Sequence, residues 1–291
     1  MKSFLKWPRM WPAPEITSIV SISMKLGYIP LALIFFLSLA VQAAQIPVPL
    51  ENSLVQLRSG PPNPLPTQIH LLVWNVHKGS SGNDWAKDLN TLSQDKHLIL
   101  LEEGVQDSWM PSILNGLMNF GWMMARSFFM KTDHNATGVI TGASSEPLTS
   151  LALQSPDTEP LLHTPKTSLF TYYLLQDQST LLVVNIHGIN FRLLSSFKRH
   201  IDQVTHVLGQ WPGKIIFAGD FNSWSAGRTD YLRTQTKNLG LREIRWALDP
   251  RVLQLDHIFY RGCRLERAVL HNMTESSDHF PLSAQFDCRS I

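Results

Sequence analysis

The chain has 291 residues, 44% of them hydrophobic, with a formal net charge of +2 and two cysteines. That length and apolar content can bury a large core, either in one α/β domain or in two smaller ones. Residues 1–44 carry Lys2, Lys6, Arg9 and Lys25 against Glu15 alone, so the remainder has a net charge of −1; this argues against strong non-specific duplex binding, which needs basic charge to neutralise phosphates.

Residues 29–41 form an almost unbroken apolar run, preceded by Lys25 and followed by Gln42-Ala43-Ala44. This is the charged, apolar, small-residue order of a secretory signal, and the run is short for a membrane span. The expectation is an N-terminal extension and signal peptide over 1–44, cleaved near Ala43 rather than kept as an anchor, with export to the periplasm or beyond. Met24-Lys25 would make a conventional start for such a signal. Cys263 and Cys288 could then form a disulfide in an oxidising compartment, or stay as two separate small apolar side chains.

Gly60-Pro61-Pro62-Asn63-Pro64-Leu65-Pro66 is too rich in proline for a helix or a sheet interior, so residues 45–67 read as an extended linker leading to a domain over 68–291. In chain order, apolar periodicity predicts a strand at 69–74, a helix around 85–92, a strand at 97–101 and a helix at 109–118. Strands follow at 122–129, 138–141, 148–153, 168–175 and 181–186. Phe197, Ile201, Val204 and Leu208 recur at helical spacing, then come a strand at 214–218, a helix at 231–239 and strands at 255–260 and 280–286. Helix–strand alternation at both ends with strands between favours two sheets in a layered α/β sandwich.

Polar residues follow these apolar runs where sheets would end. The first strand ends in Trp74-Asn75-Val76-His77-Lys78-Gly79 and the next in Leu101-Glu102-Glu103-Gly104. Two adjacent carboxylates need positive compensation, which a divalent cation supplies directly; Mg²⁺ accepts one or two carboxylates and keeps waters and phosphate oxygens as its other ligands. Asn185 and His187 alternate with apolar residues and share one strand face. Gly219-Asp220-Phe221-Asn222 follows Ile215-Ile216-Phe217-Ala218, with the glycine allowing close backbone approach. Asp256 could accept a hydrogen bond from His279 and so raise the basicity of the imidazole, while Asp278 faces a metal.

Taken in order, Trp74-Asn75, Leu101-Glu102-Glu103, Asn185-Ile186-His187-Gly188-Ile189-Asn190, Gly219-Asp220-Phe221-Asn222, Leu255-Asp256-His257-Ile258 and Ser277-Asp278-His279 resemble the endonuclease/exonuclease/phosphatase superfamily over about residues 68–286. The resemblance implies a four-layer αββα sandwich, two packed mixed β-sheets flanked by helices, and Mg²⁺-dependent (or Mn²⁺-dependent) phosphoester hydrolysis. It implies Glu103 and Asp278 as metal ligands, with Glu102 the alternative to Glu103. His279 and Asp256 would be the general-base pair, Asp220 and Asn222 would position water and a phosphate oxygen, and His187, Asn75 and Asn190 would contact phosphate, with Lys78 beside them. The abasic-endonuclease branch carries an aspartate where this chain has His77, which argues against that branch. The substrate is expected to be a nucleic acid, a phospholipid or a small phosphodiester, with no obligate protein partner. A phosphodiesterase of the nuclease type is the leading reading, against a sphingomyelinase-like esterase or a catalytically silent phosphate-binding module.

Overall fold

A computed structural model describes residues 45–160 and 162–289; the expected extension and signal over 1–44 lie outside the described residues. The strands begin with β1 (Ile46–Pro47), β2 (Leu54–Arg58) and β3 (Gln68–Asn75). Helix α1 (Asn83–Ser93), β4 (Leu98–Gln106) and α2 (Met110–Gly116) follow, then β5 (Gly121–Phe129), β6 (Ala136–Ala143), β7 (Thr149–Gln154), β8 (Thr167–Leu174) and β9 (Thr180–His187). The chain continues through α3 (Leu194–Gly209), β10 (Lys214–Asp220), α4 (Ala226–Asn238), β11 (Arg242–Glu243), β12 (Asp256–Arg261), β13 (Arg264–Leu270) and β14 (Leu282–Asp287).

The central strands are apolar on consecutive residues because both of their faces are covered. In β3 and β4, Leu71, Val73, Leu98 and Leu100 face Leu181, Val183, Ile216, Ala218 and Ile258 of the other sheet. The alternate residues Leu72, Trp74, Ile99 and Leu101 pack under Trp85 and Leu89 of α1 and Met110 and Leu114 of α2. On the far side Leu182, Val184, Ile215 and Phe217 meet Phe197, Ile201, Val204 and Leu208 of α3 and Leu232 of α4. The order is therefore helix, sheet, sheet, helix, the expected αββα sandwich.

One sheet runs β1-β5-β6-β4-β3-β14-β13, with β2 also on β5; the other runs β11-β12-β10-β9-β8-β7. Each is mixed, with one parallel pair, β3·β4 and β9·β10. Trp122, Met124 and Ala125 of β5 are buried, so the aromatic stretch of that strand is core. Residues 43–291 form one compact unit. Among the described residues no helix is long and apolar enough to cross a membrane.

Two features differ from the sequence reading, and one alternative it left open is settled. The 45–67 segment is part of the domain rather than a linker: β1 and β2 pair antiparallel with β5, and Leu65 is fully buried, exchanging hydrogen bonds with Leu174 and Gln176. Pro47 ends β1 at the sheet edge, and the other prolines lie outside the strands, where no ladder N–H is needed. β13 went unpredicted because Arg264-Leu265-Glu266-Arg267 carries the charged pattern of a sheet edge. Finally, the two cysteines are bonded to each other, Cα to Cα 4.2 Å, tying the start of β13 to the end of β14. Closing a loop of sequence separation 25 should stabilise the fold by about 3 kcal/mol through the unfolded state. Urea unfolding of the Cys263→Ser/Cys288→Ser form should accordingly show a lower midpoint; an unchanged midpoint would mean that the bond does not constrain the unfolded chain.

Candidate active site

Strand register brings the polar residues together before any side-chain contact does. On β10, Asp220 lies opposite His187 of β9 on one side and Asp256 of β12 on the other. In the other sheet, Asn75 of β3 is opposite Glu102 of β4. All of these continue the inward-facing series, Val73 to Asn75, Leu100 to Glu102, Val183 to His187 and Ala218 to Asp220, so the apolar interior between the sheets ends in a polar mouth. Gly219, at φ 135°, lets the layers close: a Cβ there would lie 2.1 Å from Ile186 O and 3.1 Å from Glu102 Oε1.

Ligand-capable atoms of Asp220, Asp256 and His279 all lie within 4.8 Å of one another. His279 Nδ1–H donates to Asp256, at 3.0 and 2.9 Å from its two carboxylate oxygens, which directs Nε2 as the proton-accepting nitrogen. Burial pushes this imidazole down, but Asp256, followed by Asp220 and Asp278, holds it well above the ordinary histidine range. The segment carrying it is fastened to β3: Trp74 Nε1 donates to His279 O (3.0 Å) and Ser277 Oγ to Asn75 O (2.7 Å). Asp220 accepts from Asn75 Nδ2 at 3.0 Å and from the Asn222 N–H at 2.8 Å. Asn222, at φ 52°, gives its amide to Gly188 O at 3.0 Å, so it shapes the turn beside Asp220. His187 Nε2 is 3.4 Å from Asp220 Oδ2, and burial, aided by Lys166, pushes this imidazole down to about 3, leaving it neutral.

The paired glutamates part company at a β-bulge. Pairing of β4 with β6 slips between Leu101 and Gly104, and Glu103 adopts φ 55°. Glu102 thereby keeps the inward face and is fully buried, with no hydrogen-bond partner for either carboxylate oxygen. Burial, then Asp256 and Asp220, push its carboxyl well above the usual range. Glu103 turns to Lys78, whose Nζ donates to it at 2.5 Å. Although burial acts upward, Lys78, with Lys166 behind it, holds Glu103 below the usual range. The expected ligand Glu103 is thus already paired with a cation, and its neighbour Glu102 faces the cluster.

An unpartnered buried carboxylate beside two aspartates is costly as it stands and fits a divalent cation. No family model matches the chain. It is 35% identical over 225 residues to a UPF0294 protein of Vibrio cholerae, covering 75% of this chain and 78% of the relative. A UPF0294 protein of Klebsiella pneumoniae is 32% identical over 241 residues, covering 78% and 85%. The chain belongs to the UPF0294 family.

Among solved structures, this UPF0294 member is similar to an endonuclease/exonuclease/phosphatase from Beutenbergia cavernae, with TM-score 0.60, 12% identity, and 76% of this chain and 71% of that one covered. The human Nocturnin catalytic domain gives TM-score 0.57 at 16% identity, with 80% and 95% covered. A mannosyl-6-phosphatase of Bacteroides thetaiotaomicron gives 0.57 at 13%, with 75% and 99% covered. The fold is that of the endonuclease/exonuclease/phosphatase superfamily, the one its ordered motifs resemble.

The remaining expected residues lie around the mouth. Asp278 is largely exposed, 3.7 Å from His77 Nδ1. Asn190 accepts from Trp224 Nε1 at 3.1 Å, and its own N–H donates to Glu159 at 3.3 Å. Sequence reasoning passed over Lys166, whose Nζ is 3.4 Å from Glu159 and which lines a small cleft with Lys78, Glu103 and His187; nothing in Thr164-Pro165-Lys166-Thr167 marks it. Asn185 shares the His187 face, as expected, but acts within the fold: its Nδ2 donates to Leu101 O (3.2 Å) and Ile140 O (3.0 Å), carbonyls at and beside the bulge. Asn185→Leu strands both carbonyls and should destabilise by about 2–4 kcal/mol. Chemical denaturation checks this, and a loss under 1 kcal/mol would mean that water takes over the bonds.

Proposed function

We propose that this chain is a metal-dependent phosphoester hydrolase in which His279 takes the proton of the attacking water. The observation that carries this reading is the orphaned Glu102 carboxylate, buried beside Asp220, Asp256 and the Asp256-oriented His279. A silent binding module has no need of that combination, because phosphate repels unneutralised carboxylates.

Glu102 and Asp278 would hold Mg²⁺, or Mn²⁺ in its place, and the ion would polarise a phosphoryl oxygen and favour departure of the leaving alkoxide. Asp256 holds the His279 imidazole with Nε2 as the proton-accepting nitrogen, and a cation beside the carboxylates would offset the negative charge that otherwise keeps the imidazole protonated. Asp220, held by Asn75 and Asn222, aligns the water. The water oxygen bonds to phosphorus as the ester oxygen leaves, and the proton passes to His279. His187, neutral and next to Asp220, contacts the phosphate without adding charge. Export is part of the same proposal: the 29–41 run resembles a signal, and the Cys263–Cys288 bond suits an oxidising compartment.

Turnover of bis-p-nitrophenyl phosphate with Mg²⁺, and its loss in EDTA, tests the reading. Glu102→Gln should lower turnover by about 100-fold or more, whereas Glu103→Gln should leave most of it. The reverse order would return the ligand role to Glu103. Absence of any metal-dependent turnover on phosphomonoesters and phosphodiesters alike would favour the binding module.

A further inference from the structure

Among the described residues, the four most exposed large apolar side chains are Val252 at 97%, Leu248 at 90%, Met273 at 87% and Leu193 at 78%. All four lie at one end of the sandwich. Leu193 follows β9, whose last residue is His187. Leu248 and Val252 precede β12, whose first residue is Asp256. Met273 lies between β13 and β14, in the connection that carries His279. Phe191 and Trp224, both about half exposed, sit on the segments leaving β9 and β10 at the same end. Single exposed apolar residues are ordinary on a protein surface. Here the most exposed ones gather on the loops that surround the catalytic mouth.

We propose that this end docks on a lipid bilayer, and that the phosphoester admitted to the mouth is a lipid headgroup. The substrate assignment rests on the hydrolase reading. A lipid interface presents a phosphoester layer with hydrocarbon just beneath it, which matches a polar centre ringed by apolar tips. The tips come from separate loops, an arrangement suited to a phase that conforms to them. Trp224 is amphipathic in the manner of interfacial tryptophans: its Nε1 donates to Asn190 Oδ1 while its ring stacks against Arg228.

A nucleic acid would ask for the opposite surface, with free cations to neutralise a row of phosphates. Around the mouth the cations are already engaged. Lys78 is paired with Glu103, Arg251 with Asp249 at 2.8 Å, and Arg192 donates to Thr158 O. Arg245 has only a loose pair with Glu243, at 3.4 Å.

The test is flotation of residues 43–291, the unit with its own cores, with vesicles of phosphatidylethanolamine and phosphatidylglycerol, beside the Leu248→Ser/Val252→Ser/Met273→Ser form. The parent should float, and the variant should bind at least about tenfold more weakly. Both should melt at the same temperature and hydrolyse bis-p-nitrophenyl phosphate equally, while only the parent hydrolyses vesicle lipid well. An enzyme active on the soluble diester that does not float, or a variant that floats as well as the parent, overturns the docking surface and leaves the hydrolase reading in place; a protein partner would then be the better occupant. Flotation without turnover of any phosphoester, soluble or lipid, overturns the hydrolase reading and the headgroup assignment with it.

Discussion

The Glu102 carboxylate is fully buried, unpartnered, and close enough to Asp220 and Asp256 for both to raise its proton affinity. Such an arrangement works against folding unless positive charge offsets it. Among the described residues, positive charge reaches the cluster from the His279 imidazole, itself drawn toward its charged form by the same carboxylates, and from Arg251, whose guanidinium lies 4.0 Å from Asp256. The nearby lysines are committed elsewhere, Lys78 to Glu103 and Lys166 to Glu159. The scaffold therefore gathers carboxyl groups at one buried point, and the surrounding polar contacts keep that point in place.

Several of those contacts are backbone devices. The bulge in β4 turns Glu103 out and leaves Glu102 in, and Asn185 reaches across from the other sheet to satisfy Leu101 O, on the β4 side of the slip. Gly219 removes the side chain that would hold Ile186 and Glu102 away from β10. Left-handed φ values at His77, Lys78, Glu103 and Asn222 fall within the same group of strand ends. Conformations of this kind persist where surrounding structure over-determines them, and here the two packed sheets do so.

Much of the fold was legible because the buried strands are apolar on both faces and the helices are not. The predicted strands match β3 through β10, β12 and β14 to within a few residues, though β4 runs on through the bulge. Edge elements escaped for the converse reason. β2 and β13 bury little and carry charge, so their sequences resemble loops, and their strand character comes from the partners β5 and β14. The arm before β3 was misread on its prolines, although Leu65 among them is a core residue.

The sequence by itself determined the order of the strand-end motifs and hence the pairing of His279 with Asp256, because residue type and position after an apolar run are local properties. Which of Glu102 and Glu103 faces the cluster was decided only by the tertiary structure. Adjacent residues on a doubly buried strand have no hydrophobic alternation to tell inward from outward, and the bulge that separates them exists only in the pairing of β4 with β6. The apolar ring was equally hidden. Leu193, the neighbours Leu248 and Val252, and Met273 come from three separate stretches of the chain, and only the return of each strand to the same end of the sandwich places them around one mouth.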